Sequence, residues 1–138
     1  MTENEILKKL VVDEKDTIQE LKSLVDKAEE FFKIEKPTGR ILFKKFGMLN
    51  DSQRICIVLI GKHFAKKLGI AETDSLGVSD ISKELGRPLT AMPISLKPLT
   101  DRGFVEKLSG KKYRIAYHRL SEILDFVSKY KKVGKKVK

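Results

Sequence analysis

Lys111, Lys112 and Arg114 stand almost side by side in the run SGKKYRIAY, and cations packed this closely on a short polar turn suit phosphate oxygens. Arg87, in the turn LGRP, is a fourth cation of the same kind. Between them come Thr90, Ala91, Ile94 and Lys97, spaced as the outward face of a helix. Thr90 and Lys97 are single-point hydrogen-bond donors without the bidentate reach of Arg, Asn or Gln, while Ala91 and Ile94 are apolar. Asp101 on the same face would be repelled by phosphate.

Catalytic groupings are missing from the sequence. His63 and His118 are the only histidines, and neither has a cysteine or carboxylate at ligand spacing, so no metal is expected. His63 reads as a surface residue of a central helix and His118 as a junction residue. Cys56, the sole cysteine, sits in the apolar run ICIVLI and reads as a buried small hydrophobe. Gly110-Lys111-Lys112 lacks the upstream glycine of a phosphate-binding loop, and no G-x-S-x-G occurs. The sequence is therefore expected to be no enzyme and to take no cofactor.

The charge balance agrees with a polyanionic partner. Residues 1–39 carry ten acids and seven bases, net −3, whereas residues 40–138 carry nine acids and 22 bases, net +13. Such a body attracts nucleic acid through its counterion atmosphere. At 138 residues, with 41% hydrophobic and 35% charged, the chain can bury a core without disulfide or metal staples. The longest apolar run is too short to span a membrane, and no secretory leader is apparent, so a cytoplasmic location is expected.

Periodicity supplies the elements that must hold these residues. A short helix is expected over Glu3 to Val12, then a longer one from Thr17, with Thr17 and Glu20 at capping-box spacing. Its stripe of Ile18, Leu21, Val25, Ala28 and Phe32, widened by Leu24 and Phe31, needs a packing partner. Arg40 to Phe46 reads as a short strand or extended arm. Asn50 or Asp51 should cap a buried central helix that ends at Gly69, its second half reaching solvent through Lys62, His63, Lys66 and Lys67. A cavity between the N-terminal helices and this one could host an effector, although no residue in the sequence marks one.

Residues 78–117 then run helix, turn, helix, hairpin. Ser79 is expected to cap a helix carrying Ile81 and Leu85 and stopped by Gly86. Leu89, Met92, Leu96 and Leu99 define the buried stripe of the next helix, capped by Thr90 and closed by Gly103, with Pro98 removing one internal bond. Phe104–Leu108 and Tyr113–Tyr117 form the hairpin. Leu120, Ile123, Leu124, Val127 and Tyr130 mark a last helix, and six lysines from Lys129 onward make a basic tail.

LG at 85–86 and, after sixteen intervening residues, GFVEK at 103–107 resemble winged helix-turn-helix regulators, MarR-like ones in particular. The resemblance implies a mainly α fold with a small β-wing, with extra N-terminal helices and a C-terminal helix. On that basis residues 1–49 are an N-terminal helical extension with a short strand, 50–131 the winged helix-turn-helix, and 132–138 a basic tail. It also implies double-stranded DNA as partner, residues 89–102 entering the major groove and the 104–117 hairpin acting as wing. Arg87, Lys111, Lys112 and Arg114 would then touch phosphate, and Thr90, Ala91, Ile94 and Lys97 the bases. A homodimer through the N- and C-terminal helices follows from the same likeness. The alternative is a protein-interaction adaptor using an Ala91, Ile94 and Pro98 face.

Overall fold

The structure, a computed structural model, describes residues 2–10 and 14–129. The expected basic tail, and Val11, Val12 and Tyr130, lie outside the described residues. The chain is mainly helical with two small antiparallel sheets. Six α-helices are described: α1 (Glu3–Leu7), α2 (Glu14–Glu29), α3 (Asp51–Lys67), α4 (Val78–Leu85), α5 (Met92–Asp101) and α6 (Leu120–Ser128). Strands β1 (Phe32–Ile34) and β2 (Ile41–Phe43) form one hairpin, and β3 (Leu76–Gly77), β4 (Val105–Leu108) and β5 (Lys112–Ile115) the other sheet.

α3 organises the core. Asn50 accepts from the Gln53 amide at 2.8 Å while the Gln53 side chain accepts from the Asn50 amide at 3.0 Å, a reciprocal cap that fixes where the helix starts. Every residue from Ile55 to Gly61 is buried, because α4, α5, α6, β5 and the β1–β2 hairpin surround it. Gly69, at φ +77°, takes the left-handed conformation just beyond its end. A single hydrophobic cluster runs from Ala28 through this helix to Val127.

The N-terminal elements depart from the periodic reading. α2 begins at Glu14, upstream of Thr17, so Thr17 and Glu20 do not form its cap. It also ends at Glu29, and Phe31 and Phe32 belong to the following turn and to β1. Both Phe residues are buried from the turn and β1 rather than from a stripe on α2. Phe31 plugs the core, and Phe32 pairs with Phe43 in the hairpin register. The hairpin lies so close to α3 that a Cβ on Gly61 would come within 3.1 Å of Ile41 Cγ1.

α4 is preceded by an extended Gly77 that acts as its N-cap, so Ser79 lies inside the first turn. Gly86, at φ +65°, stops it as expected. A 3-10 turn over Leu89–Ala91 leads into α5; Ala91 is the N-cap residue and makes no side-chain cap bond, so Thr90 is not the cap. Met92, Leu96 and Leu99 are buried, but Leu89 is exposed, because the 3-10 turn rotates it off the α5 stripe. α5 continues through Pro98, which shares the exposed face with Ile94, so water can serve the carbonyl that loses its partner.

Candidate nucleic-acid interface

The hairpin carrying the cations is fastened at its base. β3 pairs with β5, Leu76 opposite Tyr113 and Gly77 opposite Lys112, giving the strand order β3-β5-β4. Since Gly77 is also the N-cap of α4, Lys112 sits across from the start of the helix pair. The hairpin and the α4-turn-α5 unit are thereby parts of one body. β5 ends at Ile115, short of the expected Tyr117: the Ala116 amide still donates in register to the Phe104 carbonyl at 2.9 Å, and a 3-10 turn over Tyr117–Arg119 then takes the chain out of the hairpin.

Within the hairpin the cations differ in availability. Glu106 faces Arg114 in the register, and Arg114 Nε donates to Glu106 Oε1 at 2.8 Å; this bond raises the guanidinium pKa. Lys111 and Lys112 are exposed and have no ion-pair partner among the described residues. Gly110 and Lys111 both have positive φ, +77° and +59°, which makes the tight turn and puts Lys111 at its tip. Lys107, opposite Tyr113, is likewise exposed and adds a cation that counting from the turn had passed over. Its alternation with buried Val105 along VEKL pointed inward; only the distance of the hairpin end from the core exposes it.

The helix pair presents a less charged surface. Arg87 Nε lies 3.3 Å from Asp51 Oδ2, and Lys97 Nζ 3.2 Å from Asp101 Oδ2, one turn away on α5. Asp101 therefore neutralises the one lysine of the expected reading face. Thr90 is exposed, Ala91 is half-buried against the core, and Ile94 is 79% exposed. Three further arginines pack on aromatic rings. Arg54 donates to the Phe46 carbonyl and lies 3.8 Å over its ring; Arg102 and Arg119 both lie against Phe104.

No protein family, curated protein or solved structure matches this chain.

His63 is buried, contrary to the surface position its helix phase suggested. Its ring stacks on Tyr117 at 5.2 Å and 11°, and Nδ1 lies 3.9 Å from Asp74 Oδ2. Desolvation first, then Lys67, hold its pKa below the ordinary imidazole value, with Asp74 opposing. Cys56 is fully buried and its thiol pKa is pushed far up, as a core residue's would be. No cluster of three or more His, Cys, Asp or Glu able to hold a metal occurs among the described residues.

A groove opens between α2, β1 and the end of α3, with a volume of about 480 Å³. Val25, Ala28, Phe32, Phe64 and Leu68 are among its walls, so it is largely apolar. No helix among the described residues is long and apolar enough to cross a membrane.

Proposed function

We propose that this chain binds double-stranded DNA as a winged helix-turn-helix protein and acts in transcription regulation. The observation that carries the reading is the element order α3-β3-α4-α5-β4-β5 with strand order β3-β5-β4, which ties a lysine-tipped hairpin to a helix-turn-helix pair. The net +13 of residues 40–138 supplies long-range attraction. Lys111 and Lys112 are the free cations of the wing and contact phosphate, with Lys107 beside them. Arg87 and Arg114 add weaker contacts, since each first shares its charge with a carboxylate.

Base reading is slight in this proposal. The outward α5 face offers Thr90 and Ile94, with Ala91 partly covered and Lys97 already paired. Affinity is dominated by phosphate, and sequence preference is weak. Fluorescence anisotropy on random duplex at two salt concentrations tests this: binding should weaken steeply with salt. Affinity independent of salt would overturn it.

A protein-adaptor reading has one observation in its favour. Ile94 and Pro98 form an exposed apolar spot on α5, although Ala91 contributes little to it. Substituting Ile94 and Pro98 without loss of DNA affinity, but with loss of a captured partner, would favour it.

A further inference from the structure

Of the Phe and Tyr side chains among the described residues, Tyr117 alone is exposed, at 59%. A single exposed ring is ordinary in itself, but three features set this one apart. The ring is held in place, lying at 11° and 5.2 Å from His63, which is itself buried in α3. It stands two residues beyond β5, on the same body as the wing. It also walls a depression of about 210 Å³ between α2 and the start of α6.

The depression is smaller than the ~300 Å³ at which pockets for drug-sized molecules begin, and leaves room for one planar ring system. Half-buried Leu24 adds apolar wall, and the His118 ring stands at 87° to Tyr117. Glu20 and Ser121 bring polar groups to the rim. Glu122 is already taken by Arg119 at 2.6 Å, whereas Glu20 is exposed and has no ion-pair partner among the described residues. A carboxylate in this position turns phosphate away and accepts a hydrogen bond from an amino group on a base edge. Cations stand outside the depression: Lys66 and Lys67 are exposed, and the charge of each reaches His63 beneath the ring. Ring, carboxylate and lysines thus suit three different parts of a nucleotide.

We propose that this depression takes one unpaired nucleobase, stacked on Tyr117 and hydrogen-bonded at its edge to Glu20, so that the preferred ligand is a duplex with a single-stranded flank. The inference rests on the nucleic-acid reading above and adds a place that a fully paired duplex leaves empty, since its bases stay stacked inside the helix. The spacing sets the length of the flank. From Lys112 to Tyr117 the chain covers ~17 Å at the strand rise, and a stacked strand advances ~3.4 Å per nucleotide. A duplex whose last phosphates lie on the wing tip therefore needs a flank of about five nucleotides to bring a base to Tyr117.

The test measures anisotropy of the full-length chain with a blunt duplex, with the same duplex carrying a flank of about six nucleotides at its 3′ or 5′ end, and with that flank made of abasic sugars. A base-bearing flank of one polarity should bind about tenfold tighter than its abasic counterpart, the gain from one stacked base. A 2-aminopurine in the flank should lose fluorescence on binding. Tyr117→Ala should abolish both the gain and the quenching, and Tyr117→Phe should keep both, with far-ultraviolet spectra unchanged. Glu20→Ala, at an exposed position on α2, should lower the gain several-fold without touching the stacked ring. Equal affinity for base-bearing and abasic flanks, or quenching that survives Y117A, overturns the proposal and leaves the duplex reading standing. A single strand bound as tightly as the flanked duplex, with quenching that needs Tyr117, upholds the base site and overturns the duplex reading. Absence of binding to every form overturns both.

Discussion

Arg114 and Glu106 face each other across the β4–β5 hairpin with Nε and Oε1 at 2.8 Å, while Lys111 and Lys112 beyond them have no such partner among the described residues. A cation already satisfied by a carboxylate gives up part of that interaction when it turns to phosphate. Free lysines give up only hydration. The hairpin thus divides into a stiffened base and a tip open to anions.

From that division, K111Q/K112Q should lower duplex affinity and reduce the slope of log K against log salt by about 1.8, at roughly 0.9 for each phosphate no longer neutralised. Arg114→Gln should change the slope less and lower hairpin stability by about 0.2–1 kcal/mol, the worth of a cross-strand pair. Anisotropy titrations at several salt concentrations, with thermal melts alongside, separate the two. An unchanged slope in K111Q/K112Q would contradict the wing reading.

Ile94 is exposed enough that Ile94→Ala should alter folding stability by less than about 0.5 kcal/mol. If its side chain meets thymine methyl groups, replacing thymine by uracil in a duplex should weaken wild-type binding several-fold and I94A binding hardly at all. Equal losses in both proteins would remove Ile94 from the contact.

His63 makes stability depend on pH. Burial holds its folded pKa below the unfolded value of 6.5, so the unfolded chain takes the proton first as pH falls. Its contribution is complete above 6.5 and is lost as pH drops from there through the folded value. Thermal melts between about pH 7.5 and 5 should show wild-type Tm falling more steeply than that of His63→Gln. Parallel curves would mean that the imidazole takes up its proton at the same pH in the folded and unfolded chain.

Gly61 is required by the approach of the β1–β2 hairpin to α3. Gly61→Val would press on Ile41 and Phe32 in a filled core and should cost more than about 2 kcal/mol, despite removing a glycine from a helix. Urea denaturation measures it. A stability gain would show that the hairpin can move away freely.

Local chemistry was legible along the chain. Asn50 and Gln53 mark the start of α3 through hydrogen bonds that reach only three residues, and Gly69, Gly86 and Gly103 mark helix ends because a left-handed residue is needed there. The stripes of α3, α5 and α6 follow from helical periodicity alone, Leu89 excepted. What depends on residues far apart was not legible. The Phe32–Phe43 register, the burial of His63 under Tyr117 and the pairing of Arg87 with Asp51 join segments whose order in sequence sets no distance between them. So the sequence by itself determined which residue types stand at the turn and the hairpin tip. Only tertiary packing decided which of those cations are left unpaired, because ion-pair partners are chosen by proximity after folding.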